Sequence, residues 1–438
     1  MSSQIKSYLD SLDKKIRLGE LEIVQKELEK LNLNSIPREH AATLATLARR
    51  VSLSNVAVSI LYPLVRPKDR KQVQATEIEI AEYAAALTFI GASQEAYGLL
   101  RKVNSQKVPQ ALLYQAFALF AQWNYRLAIP AIKQYIETPT LSDYERLVGK
   151  LNLGAAFLYE RDYELSFKLL KEVAHQAKEK KYHLLYSNAL ERLAENSICL
   201  KNWNTAENLL FEAESLIHDQ KSLYKLFIRK WRVFLNISTT GLKDREFVKL
   251  KEILAEATNL NHWETVRDCN RFEAITTKNK KLLYHLYFGT PYKSFRERLI
   301  SDFGAPISLP TNYYWGQEFI ALDKSSPELD LETGKVTYRN ELGVIESLKT
   351  TLTPGSLPHR FLKRLSTDFY APIGLRILFA DLFSNDPYDP NTSDSKIRSV
   401  AKELESWFAV NHLSLKLEER NGFFHLKFTA PFVIKISR

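Results

Sequence analysis

Apolar residues return at i, i+3 and i+4 through most of the first 300 positions, as ALLYQAFALF at 111–120 shows, and that spacing predicts helices with one buried face. Short polar breaks interrupt them at Gly91-Ala92-Ser93, Asn124-Tyr125 and Lys201-Asn202-Trp203. Helical patterning persists in KSLYKLFIRKWRVFL, DREFVKLKEILAEA and NKKLLYHLY, and the period shortens near Pro310. Residues 318–323, 329–339 and 342–347 alternate apolar with polar positions around a Thr333-Gly334 turn and predict strands. Residues 359–369 and 372–383 predict helices, a polar run leads into a third helix at 393–411, and 413–428 predicts a hairpin. Its turn, Arg420-Asn421-Gly422, holds the Asn-Gly pair that is the strongest short hairpin signal. These patterns divide the chain into 1–218, 219–309 and 310–438.

A repeat underlies the first division. Small residues stand twelve positions apart at Ala45/Ala57, Ala84/Ala96, Ala116/Ala128, Gly154/Ser166 and Ala194/Ala206, with a turn signal inside each interval. The first members of these pairs follow one another at steps of 39, 32, 38 and 40 residues. The clearest copy, NLGAAFLYERDYELSFKLLKEVA at 152–174, resembles the tetratricopeptide (TPR) pattern, and a degenerate copy spans Leu12 to Val24 around Leu18-Gly19-Glu20. The resemblance implies paired antiparallel helices in close approach at the small residues, stacked into a superhelix because no single pair can bury its apolar face. Its concave surface is then the place for a protein or peptide partner. TPR domains that grip a C-terminal carboxylate carry Lys and Asn on the inner helix, whereas the corresponding positions here include Leu151 and Ala155. Phe117, Phe120, Tyr159, Asn188, Glu191 and Glu195 are the candidates for the inner wall, an apolar and partly acidic lining suited to an aromatic or basic segment. Each of them could instead pack against the next repeat.

Length, at 438 residues, exceeds what one core supports, and 45% apolar with 26% charged residues is the balance of a folded chain. Gly and Pro are scarce, 14 and 16, which suits long helices. Cys199 and Cys269 have no paired spacing and read as buried thiols in a reducing compartment. The charged N-terminal stretch offers neither a signal-peptide core nor a membrane-spanning run, so a cytoplasmic protein without a membrane partner is expected. Of the net +10, residues 219–301 hold 17 Lys+Arg against 9 Asp+Glu, an excess of 8. Lys280, Lys281, Lys293, Arg296 and Arg298, with tyrosines between them, make a candidate phosphate-contacting surface. The alternative is a solvated face of long side chains covering a core.

Strands, three helices and a hairpin, in that order over about residues 318–428, resemble the DNA-binding domain of OmpR-like response regulators, a winged helix preceded by a small sheet. The expected fold class is therefore mainly α, a TPR-like α-solenoid with a C-terminal α+β winged-helix domain. In that family the third helix enters the major groove and the wing meets the backbone or minor groove. This nominates Lys396, Arg398, Ser399 and Lys402 on the helix, Arg420 and Asn421 on the wing, and Arg360, Lys363 and Arg364 at flanking phosphates. Ile397, Val400, Ala401, Leu404, Trp407 and Phe408 form the opposite, core face, and Ser393 or Ser395 can cap the helix. The segment 318–438 carries 16 positive and 16 negative residues, so its non-specific attraction to phosphate is weak.

Walker, dinucleotide, nucleophile-elbow and HExxH motifs are absent, the nine histidines lack ligand spacing, and no catalytic residue, metal or cofactor is expected. The reading that follows is a transcriptional regulator, in which a partner-sensing solenoid is coupled to a winged helix on double-stranded DNA. A dimer suits it, because a lone winged helix gains useful affinity from a second copy. The alternatives are a scaffold whose winged helix binds protein, and a protein that uses the basic segment on nucleic acid without sequence choice.

Overall fold

The computed structural model describes residues 2–32, 36–67, 73–217, 223–241, 243–260, 262–304, 307–316, 326–339, 345–348, 351–389, 391–420 and 422–437. The chain forms two compact units, Met1–Leu260 and Asn261–Arg438. The first is a TPR-like α-solenoid and the second an α+β domain.

Helices α1 (Ser2–Leu18) and α2 (Leu21–Glu29) turn at Gly19 and bury Leu12 and Val24, where the degenerate copy is expected. Helix pairs follow: α3 (Arg38–Arg50) with α4 (Ser54–Val65), α5 (Glu77–Phe89) with α6 (Ser93–Leu100), and α7 (Gln110–Phe120) with α8 (Tyr125–Ile136). Next come α9 (Asp143–Tyr159) with α10 (Tyr163–Glu179), α11 (His183–Cys199) with α12 (Trp203–Ser215), and α13 (Leu223–Thr240) with α14 (Asp244–Asn259). Thr76 with Glu79 and Ser142 with Glu145 close capping boxes that start α5 and α9, satisfying amides a helix start otherwise leaves open. Within these pairs the turn passes through a left-handed residue at Ser52, Gly91, Trp123, Arg161, Lys201 and Gly241.

All five predicted small pairs are buried at helix crossings. At the fourth, Ser166 Oγ donates to the Gly154 carbonyl at 2.9 Å, and a Cβ on Gly154 would lie 2.7 Å from Cγ and Cδ2 of Leu170. That approach is why the position carries no side chain. The α13/α14 pair lacks the signal because Phe234 and Glu246 stand where the other pairs, counted from the left-handed turn residue, carry small side chains, yet it belongs to the solenoid. The boundary therefore falls at Leu260, with no separate 219–309 segment, and the basic excess divides: residues 219–260 hold 9 positive and 5 negative side chains, and 261–301 hold 8 and 4.

The second unit begins with α15 (Trp263–Thr277), α16 (Lys280–Phe288) and α17 (Lys293–Phe303). Arg267, 1% exposed at its side chain, donates to both carboxylate oxygens of Asp368 at 2.8 and 2.7 Å and to Glu264 at 2.5 Å, and so ties α15 to the segment after α18 (Leu357–Leu365). A five-stranded sheet runs β1-β8-β2-β3-β4 through β1 (Asn312–Trp315), β2 (Glu328–Asp330), β3 (Lys335–Arg339), β4 (Ile345–Ser347) and β8 (Val433–Ser437). The predicted β2–β3 hairpin forms around Gly334, at φ +65° and closely against the Leu352 carbonyl, a conformation and a space that glycine satisfies. The strand expected at 318–323 lies outside the described residues. Strands β1 and β8 have no counterpart in the sequence reading, and β8 lies between its two partners, antiparallel to β1 and parallel to β2.

After α18 the chain forms β5 (Ile373–Gly374), then α19 (Leu375–Leu382), α20 (Ser393–Val410), β6 (Leu415–Arg420) and β7 (Phe423–Phe428). The short β5, read from sequence as helix, joins β7 and β6 in a second sheet of order β5-β7-β6. Ile397, Val400, Ala401, Leu404 and Phe408 are buried under α20 as expected, and Trp407 is half-buried. Neither serine caps α20: Ser393 Oγ accepts from Asp389 N at 2.8 Å, and Ser395 Oγ donates back to the Thr392 carbonyl at 2.7 Å.

Candidate functional site: an aromatic groove in the solenoid

Rings from successive pairs meet in a continuous row on the first unit. Phe89 at the end of α5 lies 6.1 Å from Phe117, Phe117 6.5 Å from Phe120, Phe120 4.9 Å from Tyr125, and Tyr125 stacks on Tyr159 at 4.3 Å. The row arises because each ring sits near the pair's turn, so the stacking of pairs lines them up. It leads to a cavity of about 240 Å³ walled by α7, α8, α9, α11 and α13. Phe120, Tyr125, Tyr159, Tyr224 and Phe227 supply its rings, and Asn152, Asn188, Glu191 and Arg192 its polar groups.

The cavity wall is held by a charge network. Arg192 donates from Nη1 to Glu195 at 2.6 Å and approaches Glu191 at 3.3 Å through Nε, while Trp231 Nε1 donates to Glu191 at 2.6 Å. Glu191 and Glu195 raise the Arg192 pKa despite the opposing cost of burial, and the guanidinium stays charged. Burial raises the Tyr224 hydroxyl above its usual range, so this ring presents a neutral phenol. Further along the row, Tyr114 donates to Glu82, and Arg49 reaches both, at 3.0 Å to the hydroxyl and 3.2 Å to the carboxylate.

Of the six sequence candidates, Phe120, Tyr159, Asn188 and Glu191 line the cavity together. Phe117 belongs to the ring row instead, and Glu195, buried, anchors Arg192 from behind the lining. Leu151 and Ala155, the positions that argue against a carboxylate grip, also face it. Sequence reasoning missed Tyr125, Asn152, Arg192, Tyr224 and Phe227. Tyr125 follows the turn Asn124, and Arg192 adjoins Glu191, so both lay beside signals already in hand, whereas α13 carries no small-residue marker to place Tyr224 and Phe227.

On the second unit the nominated cations are mostly engaged by acids of their own unit. Arg398 binds Glu419 through Nε and Nη2 at 2.9 to 3.2 Å, Lys396 pairs with Asp386 at 3.2 Å, and Arg420 approaches Glu418 at 3.5 Å. Lys363 pairs with Glu332 at 2.7 Å, Arg364 with Asp381, and Arg360 donates to the Asp381 carbonyl at 2.6 Å. Ser399 and Lys402 are exposed, and Lys402 makes no ion pair among the described residues. Asn421 lies outside the described residues. In the basic segment, Arg298 is largely buried 3.7 Å from Asp302, and Arg296 donates to the carbonyls of Thr290 and Pro291 at 2.8 and 3.0 Å. Lys280, Lys281 and Lys293 remain exposed, the last 3.7 Å from Glu297. Among the described residues no cluster of His, Cys, Asp or Glu has metal-binding geometry, and no helix is long and apolar enough to cross a membrane.

No protein-family model matches this chain, and no curated protein is similar to it. Among solved structures, the apo form of RapI is similar over 65% of this chain and 85% of its own, at 12% identity and a TM-score of 0.37. Aspartyl phosphate phosphatase F from Bacillus subtilis is similar over 69% of this chain and 86% of its own, at 12% identity and a TM-score of 0.40.

Proposed function

We propose that this chain is a non-enzymatic regulator, whose solenoid groove binds a peptide or protein segment and whose C-terminal domain is a winged helix that contacts double-stranded DNA. The observation that carries the first half is the cavity at the end of the ring row, with Phe120, Tyr125, Tyr159 and Tyr224 around one opening and amide groups of Asn152 and Asn188 in its wall. Apolar walls with a few placed polar groups are what a binding pocket needs. Supporting the second half is the order α18, β5, α19, α20, β6, β7, with β5 paired to the hairpin, which resembles the winged-helix arrangement. In that arrangement α20 is the reading helix, Lys402 and Ser399 face the bases or backbone, and the β6–β7 hairpin is the wing.

The test is selection of random duplexes on the full chain at physiological salt, read by sequencing. Enrichment of one motif, lost on Lys402→Ala, supports DNA reading; general binding with no motif removes it. The pairing of Arg398 with Glu419 and of Lys396 with Asp386 favours a second reading, a scaffold whose winged helix meets protein, because cations already matched to carboxylates offer little to phosphate. On that reading duplex selection enriches nothing and binding to random duplex is weak.

A further inference from the structure

Stacked helix pairs touch only their neighbours, and here the first helices of successive pairs pack on one another, α3 on α5, α5 on α7, α9 on α11 and α11 on α13. Helix α1 departs from that rule. It packs on α3, as its place in the chain requires, and also on α11, the first helix of a pair far along the stack. The wall of first helices therefore curls back on itself, and α1 bridges its two ends.

Building on the reading of the solenoid as a binding surface, we infer that α1 is a displaceable strap. It fills a helix-binding surface on α3, α9 and α11, and a partner's amphipathic helix of the same pattern binds by taking its place. The pattern stands on α1 itself: Leu9, Leu12 and Ile16, at i, i+3 and i+7, are buried on one face, while Lys6, Asp10 and Lys14 are exposed. One acid completes it, because Asp13 binds both Arg17 of its own helix, at 2.6 Å, and Arg50 of α3. Both guanidiniums meet the same ring of α9: Arg17 lies 4.3 Å from the Tyr144 centroid, and Arg50 Nη2 donates to the Tyr144 hydroxyl at 3.4 Å.

The hold is light for a helix of 17 residues. Among the described residues α1 buries these three aliphatic side chains, whereas α11, of equal length, buries eleven residues. The seat also carries a cost, since Arg17 Nε is buried without a hydrogen-bond partner. A partner helix that presents the three aliphatic residues and the acid, without that arginine, keeps the buried face and the pair with Arg50 and loses the orphaned donor. Lightly held elements are the ones that open locally.

The experiment titrates a fluorescent peptide of residues 2–18 onto the full chain by anisotropy, with wild type and with Leu12→Asp, whose own α1 no longer seats. A tethered copy competes at an effective concentration of about a millimolar. The released variant should therefore bind the peptide at least tenfold more tightly than wild type, and adding Tyr144→Ala should remove the gain. Peptides selected on phage against the full chain should displace the labelled one. Where circular dichroism shows that Leu12→Asp does not fold, Asp13→Lys, which sets a cation beside Arg17 and Arg50, takes its place. In the wild type, hydrogen exchange should be at least tenfold faster over residues 2–18 than over 183–199. Equal binding by wild type and released variant, binding by neither, or α1 exchange as slow as that of α11 overturns the inference. So do selected peptides that leave the labelled one bound, and all these results leave the cavity of the ring row standing. Selection of no peptide overturns both.

Discussion

Replacing Gly154 by alanine adds one methyl group to α9 and tests whether helix approach, rather than helix propensity, chose glycine there. The new Cβ would lie 2.7 Å from two carbons of Leu170, which is fully buried. Overpacking of this kind costs about 1–3 kcal/mol. Alanine recovers about 1 kcal/mol of helix propensity, so the net loss is about 1 kcal/mol. Gly98, exposed on α6 with nothing within 4 Å of its would-be Cβ, supplies the matched control: the same substitution there collects the propensity term alone, a gain of about 1 kcal/mol. The two variants should therefore separate by about 2 kcal/mol, or roughly 4–8 °C for a unit of this size. Thermal and urea unfolding followed by helical circular dichroism reads the difference. A double variant, Gly154→Ala with Leu170→Ala, should lose less than the sum of its parts, since the smaller residue makes room for the methyl. If Gly154→Ala is as stable as Gly98→Ala, the close-packing account of the small-residue interval is refuted.

Other expectations follow from particular contacts. Asp368→Ala removes the buried two-point partner of Arg267 and leaves the guanidinium only Glu264, and should destabilise the second unit by about 3 kcal/mol, measured by urea unfolding of the full chain, whereas Glu332→Ala, whose Lys363 partner is exposed, should change stability by less than about 1 kcal/mol. Glu419→Gln releases Arg398, so on the DNA reading it should tighten duplex binding and steepen its salt dependence by about one charge, while Lys402→Ala should do the reverse; anisotropy across a salt series decides.

The solenoid was legible because its rule is local: two small residues twelve positions apart, with a turn between, are written into each pair without reference to distant sequence. Where that rule lapses, at Phe234 and Glu246, the pattern fails to extend the solenoid, although α13 and α14 complete it. Four of six groove candidates meet at the cavity because inner-face positions repeat with the pairs. Tyr224 and Phe227 could not be placed without knowing that α13 packs beside α11. In the second unit, the hairpins at Gly334 and Gly422 carried turn chemistry that sequence displays. Strands β1 and β8 pair across more than a hundred residues, and β5 is two residues long, so neither leaves a local period to read. The ion pairs that engage Arg398, Lys396 and Lys363 are likewise non-local, which is why a count of basic residues on α18 and α20 overstates the charge available to phosphate.

The central claim is that the solenoid groove is a binding site, and hydrogen exchange of the full chain with and without a selected peptide addresses it most directly. The account predicts slowed exchange in the stretches that wall the cavity, at residues 151–159, 188–192 and 224–227, abolished together with binding by Tyr159→Leu. Protection confined to residues 261–438, or a bound peptide that leaves those three stretches unchanged, would contradict it.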